Sequence, residues 1–309
     1  MSALALTGVA CAWSLALPAH AASSDRAIKA CLLVRRAPAP RLVIYGSSRA
    51  AKVEPAYLGS LLHEAAFNAS VSSGTPEDVW AFAHLAHDQA GPVPVRALWL
   101  LDVESLRPHP FDASLLQVPV LARYFSASPG TVVPAPAPAT ARGASSRACS
   151  FTTSASTRYA ADGFRAHDFH DAAAANGTTL AGGLQRAVAD YGRIYRTGYP
   201  RVAPQEAVWV ERVIRAFDAW GVRPVIVLTP AHPAFLRALG PVGWSRRHAE
   251  VLQTLRSLAG RFTLLDASSI SAFGGRPGDF YDGVHMRVAN TRRLAAWIAR
   301  QAHGELSGP

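Results

Sequence analysis

The residues whose types could do chemistry together are two serines near the front of the chain and an acid and a histidine near its back. Ser47 and Ser48 end the apolar run Leu42 to Tyr45 in "RLVIYGSSRAAKVEP", just after Gly46. Asp282 and His285 stand three apart, across Gly283, in "DFYDGVHMRVAN". A serine hydroxyl attacks a carbonyl only when a base takes its proton, and the base works best when a third group orients it. The DxxH spacing lets the carboxylate accept from one imidazole nitrogen while the other faces a substrate. Taken singly, Gly-Ser-Ser describes an ordinary strand-to-helix connection and DxxH a capped turn. Taken together, they describe a nucleophile, a base and an orienting acid.

Positioning them requires elements that bring the two ends of the chain together. Five apolar runs have the length and composition of buried parallel strands: Leu42 to Tyr45, Ala66 to Val71, Ala97 to Val103, Pro224 to Thr229 and Phe262 to Asp266. Helical patterns cover about Pro76 to Gln89, Pro204 to Trp220, Arg246 to Leu258 and Ala289 to Ala302. The first begins with Thr75 as N-cap, Pro76 at the first helical position and Glu77 and Asp78 in the first turn. Gly221 and Gly260 stop the second and third. Strands alternating with helices predict an α/β protein, a three-layer α/β/α sandwich around a parallel sheet of about five strands. In such a sheet, sites form beyond the carboxyl ends of the strands. Ser47 and Ser48 fall there, before an expected helix start whose N–H groups would stabilise negative charge.

The alternation is interrupted between Glu104 and Arg201, where no strand is expected. The stretch "SASPGTVVPAPAPATARGASSRACSFTTSAST" within it is Ala/Pro/Ser-rich and reads as an irregular surface segment. Strands on both sides are needed for one sheet, so residues 104–203 read as an insertion after the third strand of a single domain spanning 23–309.

With these residues in view, the chain resembles a known family. "YGSSR" (Tyr45 to Arg49), "FNASVSSGTPEDV" (Phe67 to Val79) and "FYDGVHM" (Phe280 to Met286) are similar to the first, second and fifth blocks of the SGNH/GDSL hydrolase superfamily. The likeness is strongest to its cell-envelope branch, which includes alginate O-acetyltransferase-like and D-alanyl lipoteichoic acid biosynthesis proteins. The resemblance implies a flavodoxin-like SGNH fold, Ser48 as nucleophile, with Ser47 in place of the family aspartate, His285 as general base and then acid, and Asp282 as its orienting partner. It implies an oxyanion hole from the backbone N–H of Ser48 and one from Ser73 or Gly74, either of which fits the glycine place of the second block. The third block departs from the family: "LWLLDVESLRP", Leu98 to Pro108, lacks the usual oxyanion-hole asparagine. Ser105 is a substitute donor to test.

The expectation is therefore an exported serine esterase or O-acyltransferase, acting through an acyl-enzyme on acyl esters of a cell-envelope carbohydrate polymer. The alternative is a non-catalytic carbohydrate-binding or assembly protein that keeps the fold. Arg49, beside the nucleophile, and His232, after the fourth strand in "LTPAHPAF", are candidate substrate contacts; each has a bland reading, as helix surface and as packing between prolines. The chemistry requires no metal and no organic cofactor. His84, His87 and Asp88 on the helix after Thr75 read as a solvated face rather than a metal site. His167, Asp168, His170 and Asp171 in "FRAHDFHDA" read as a polar loop or helix start.

Composition narrows the partners. The 309 residues are half hydrophobic and carry a net charge of +10, but every basic residue except Lys29 and Lys52 is Arg, as in chains from GC-rich genomes. No basic run is interleaved with aromatics, which argues against a nucleic-acid partner. The opening, apolar from Ala3 to Leu17 and closing on Ala19-His20-Ala21, reads as a signal peptide over residues 1–22. Left uncleaved, it would anchor the chain at a membrane; either way the protein is exported to the periplasm, envelope or medium. Cys11 lies inside that segment, leaving Cys31 and Cys149, which an oxidising compartment would allow to pair or to stay as thiols.

Overall fold

A computed structural model describes residues 25–125, 157–258 and 260–307. In chain order the elements are α1 (Asp25–Arg35), β1 (Leu42–Gly46), α2 (Pro55–Leu62), β2 (Ala66–Asn68), α3 (Pro76–Ala90), β3 (Arg96–Leu101), α4 (Pro119–Ala122), β4 (Arg158–Tyr159), β5 (Arg165–His167), α5 (Phe169–Ala175) and α6 (Leu180–Arg193). They continue with α7 (Pro204–Ala219), β6 (Val225–Leu228), α8 (Pro233–Leu239), α9 (Ser245–Ser257), β7 (Thr263–Asp266), α10 (Val288–Gln301) and α11 (His303–Leu306). The five expected strands pair in the order β2-β1-β3-β6-β7, all parallel.

Alternation along the strands divides the core into two layers, because successive side chains leave opposite faces. Val43, Tyr45, Trp99 and Ile226 pack with Ala30 and Leu33 of α1, Phe82 of α3, and Val213 and Phe217 of α7. Leu42, Ile44, Leu98 and Val227 pack with Leu58 and Leu62 of α2 and with Leu294 and Ile298 of α10. Helices thus cover both faces of the sheet. Its central strands are buried along nearly their whole length, which is why they read as continuous apolar runs. Among the described residues, no helix is long and apolar enough to cross a membrane.

The four expected helices are present with ends shifted by at most one residue. Thr75 caps α3 as expected, its N–H donating to Asp78 Oδ2 at 3.0 Å. β2 is shorter than expected. It ends at Asn68 rather than Val71, because the Asn68 side chain accepts from Ser70 N at 3.0 Å and turns the chain. A second difference follows Ser48, where no helix begins at once. The chain winds through successive turns (Ala50 N to Ser47 O, Ala51 N to Ser48 O, Val53 N to Ala50 O), and α2 starts only at Pro55.

The interval expected to be strandless holds the two-strand antiparallel ribbon β4–β5 and the helices α5 and α6. It leaves the sheet at Leu106 and returns at Ala203, whose N–H donates to Leu106 O at 2.9 Å. The apolar opening of the chain, Cys149 and most of the Ala/Pro/Ser-rich stretch lie outside the described residues.

Candidate active site

Gly46 ends β1 with φ +146°, and a Cβ there would meet Leu100 O at 2.6 Å. Only glycine lets the chain pass so close to the neighbouring strand and still turn outward. The turn gives the two serines different tasks. Ser47 is buried, and its Oγ accepts from Arg49 N at 3.1 Å, closing the turn. Ser48 is half-buried, and its Oγ lies 2.9 Å from His285 Nε2. Asn68, fully buried, clamps this loop from below: its Nδ2 donates to Ala50 O and Val53 O, both at 2.9 Å.

His285 comes from the loop before α10. A bridge between Phe280 and Met286, with Tyr281 N donating to His285 O at 2.9 Å, folds that loop back on itself. Asp282 Oδ2 faces His285 Nδ1 at 2.8 Å, while Oδ1 accepts from the N–H groups of Val284 and His285, both at 2.8 Å. Burial alone would raise the Asp282 carboxyl, but the bond and charge of His285 with the two main-chain donors hold it well below the usual carboxylate range. It is therefore ionised at neutral pH and fixes the ring with Nδ1–H toward it and Nε2 toward the serine. The three residues expected from the sequence form one unbroken chain of contacts beyond the carboxyl edge of the sheet.

The insertion closes around this chain. Helix α6 presses on the Asp282 loop at Gly183, where a Cβ would meet Tyr281 O at 2.5 Å. Helix α5 carries His170, whose ring centroid lies 4.0 Å from that of His285 and whose Nδ1 is 3.8 Å from Asp282 Oδ2. Burial and then the neighbouring His285 push the His170 pKa down, so it sits as a neutral ring against that of His285. Asp168 caps α5, accepting from His170 N at 2.9 Å, so this run is a helix start as expected. Asp171 adds a link that sequence reasoning missed, binding Lys52 of the serine loop and the Tyr281 hydroxyl of the histidine loop. The signal for this region was the density of His and Asp in "FRAHDFHDA"; nothing local says that the run folds back onto His285.

Two cavities border the Ser48–His285 pair, one touching Ser48 and the other His285. One, of about 420 Å³, is lined by Ser48, Arg49, Ser73, Gly74, Ser105, Arg107 and residues 109–113. The other, of about 360 Å³, is lined by Asp282, His285, His170, Phe169, Tyr281, Arg186 and Arg287. Tyr191 borders both. In the first, the N–H groups of Ser48 and Ser73 donate to no group among the described residues. The Gly74 N–H donates to Val71 O at 3.1 Å. Of the two frames for the second block, Ser73 therefore has the open donor, at φ 54°. Gly74 is corrected to a turn residue.

The remaining candidates take other roles. Arg49 lines the first cavity, but its guanidinium is buried, bonded to Glu104 Oε2 at 2.8 Å and Thr229 Oγ1 at 3.3 Å, with Asp102 Oδ2 3.7 Å away. Its charge is matched within the protein instead of being offered to a substrate. In the third block, where the resemblance would place an asparagine, Asp102 accepts from Thr229 Oγ1 at 2.8 Å, and Ser105 lines the cavity. His232 caps α8, its Nδ1 accepting from Ala234 N at 3.1 Å, and its ring lies edge-on to Phe280. It reaches neither cavity, so packing replaces the expected substrate contact. His84 and His87 are not a solvated face: both rings pack on Trp220, and His84 also on Trp80 and Tyr124.

No family model matches the chain, and no curated protein or solved structure matches it.

Proposed function

We propose that the protein is a serine esterase or O-acyltransferase that works through an acyl-enzyme on Ser48. The observation that carries this reading is the continuous relay from Ser48 Oγ through the His285 ring to Asp282. Along it, His285 takes the Ser48 proton as the hydroxyl attacks an ester carbonyl, and Asp282 stabilises the imidazolium that forms. The unpartnered N–H groups of Ser48 and Ser73 are the donors for the resulting oxyanion. His285 then protonates the leaving alcohol, and in the second half-reaction it activates water or a sugar hydroxyl to release the acyl group. The SGNH-like blocks at Tyr45 to Arg49 and Phe280 to Met286 support the same assignment.

Two separate cavities on either side of the serine–histidine contact favour an acceptor larger than water. The second, with Phe169 and Tyr281 beside Arg186 and Arg287, offers the aromatic faces and charged donors suited to a carbohydrate. The substrate class we assign is an O-acylated polysaccharide of the cell envelope, reached by export through the N-terminal segment. Ser48→Ala should abolish turnover of p-nitrophenyl acetate and labelling by a fluorophosphonate. Unchanged turnover or labelling would remove the assignment.

A second reading, a non-catalytic envelope protein, draws on one observation: the third block supplies the buried acid Asp102 where an asparagine donor is expected. Removing one oxyanion donor costs about a hundredfold or more in rate. A wild-type protein inert to fluorophosphonate, with its fold intact by circular dichroism, would favour this reading.

A further inference from the structure

Outside the triad, three ionisable side chains from distant parts of the chain converge on one point. Glu77 comes from the first turn of α3, His109 from the loop after β3, and Glu206 from the first turn of α7. One ligand atom from each of the three lies within 4.8 Å of the other two. Glu77 Oε2, His109 Nε2 and Glu206 Oε2 are each buried and, apart from the ion-pair contact between the last two, have no partner among the described residues. The Glu206 side chain is 1% exposed and the Glu77 residue 3%. Buried polar atoms go without partners rarely and at a cost, and three aimed at one place require a common explanation.

The orientation of His109 supplies it. Its Nδ1 lies 3.0 Å from Pro110 O, an acceptor only, so Nδ1 carries the proton and donates. Nε2 lies 3.1 Å from Glu206 Oε2, an ion pair when the ring takes a second proton there and a bare lone pair facing a carboxylate when it does not. A lone pair facing a carboxylate oxygen needs a positive centre between them. A second proton on His109 would serve Glu206 alone and leave Glu77 Oε2 unanswered. A divalent cation answers all three atoms and balances two buried carboxylates. An imidazole whose other nitrogen donates to a main-chain carbonyl is also the usual posture of a metal-ligating histidine.

We propose that Glu77, His109 and Glu206 form a site for a divalent transition metal, with Zn2+ as the fitting ion. One imidazole and two carboxylates suit zinc better than magnesium or calcium, which prefer all-oxygen shells. Zinc bonds of about 2.0–2.2 Å would draw the ligand atoms closer than they stand, a change within reach of side-chain rotation. The ion would pin the loop at His109 to α3 and α7. That loop lines the cavity holding Ser48, so the ion sets a wall of that cavity without touching the reacting atoms. The proposal stands independently of the esterase reading, because none of its three residues belongs to the triad.

The test is zinc binding by the full chain after dialysis against a chelator, read by isothermal titration with ZnCl2 and by zinc-edge X-ray absorption. The expected result is one bound equivalent with a single imidazole in the zinc shell and a raised melting temperature. Glu206→Gln and His109→Ala should each weaken that binding by more than about tenfold. His170→Ala, which alters the His170, Asp282 and His285 group, should leave it in place. Failure of the wild type to take up zinc would overturn the proposal, as would uptake that survives Glu206→Gln. If the variants do not fold, absorption by the wild type decides alone: two imidazoles in the shell would put the ion at His170 and His285 and reject this site.

Discussion

Two groups of histidine and acid sit at the edges of the Ser48 cavity, and they treat their carboxylates in opposite ways. Both oxygens of Asp282 are satisfied, one by two main-chain N–H groups and the other by the His285 ring. Glu77, His109 and Glu206 each leave an atom unpaired against the others. A carboxylate held by its own loop is a fixed charge that orients a base. Carboxylate oxygens buried without donors suit a cation. The residue types are nearly the same, and the backbone around them decides which role they take.

The largest effect should come from breaking the satisfied group. Asp282→Asn keeps the shape but removes the charge that stabilises the imidazolium, and it allows the wrong ring tautomer. Turnover of p-nitrophenyl acetate should fall by about 10³–10⁴, and a loss of less than tenfold would show that the ring is held by other means. By contrast, His109→Ala assayed in chelator-treated buffer should leave the rate constant for chemistry within about tenfold of wild type, with the larger change in KM, because it touches a wall and not the relay.

The support beneath the serine comes next. Asn68→Ala leaves Val53 O without a donor among the described residues and Ala50 O with Val53 N alone, and should destabilise the fold by about 1–3 kcal/mol, measured by urea denaturation. A smaller effect on activity is expected from Ser73→Gly. The oxyanion donor proposed for it is main-chain and its φ of 54° suits glycine, so turnover should persist within a few-fold while stability holds or rises. A Ser73→Gly variant that folds but has lost the turnover shown by the wild type would show that the hydroxyl, not the N–H, does the work.

The smallest effect is a pH dependence remote from both groups. Burial among Trp80, Tyr124 and Trp220 pushes the His84 pKa down to about 4 from 6.5. The unfolded chain therefore takes up a proton first as pH falls. Below pH 6.5 the folded state loses stability relative to the unfolded one, and the loss levels off once pH passes below about 4. His84→Phe keeps the ring packing and removes this term. Its melting temperature relative to wild type should rise between pH 7 and pH 5, and an unchanged difference would mean that His84 ionises freely in the native protein.

Much of this architecture was legible before any coordinates. The apolar runs at Leu42, Ala97 and Pro224 are continuous because both sheet faces are covered, and that signature survives without context. Thr75-Pro76-Glu77-Asp78 announces a helix because capping is local chemistry. What went unread depends on contacts distant in sequence. β2 was overrun because the Asn68 side chain, which bends the chain, looks the same in a strand as in a turn. His232 and Arg49 stand near the expected rim by register, but their side chains are committed to α8 and to Glu104.

The sequence by itself determined the strand order in time, the glycine turn after β1 and the local DxxH loop, since each is fixed by residues within a few positions of one another. Only the tertiary structure decided that Ser48 and not Ser47 meets His285, that Ser73 and not Gly74 keeps an open N–H, and that α5 folds back to set His170 on the base. It alone brought Glu77, His109 and Glu206 to one point. Those outcomes turn on where a side chain finds its partner after the chain has closed over more than a hundred residues, and no local pattern carries that information.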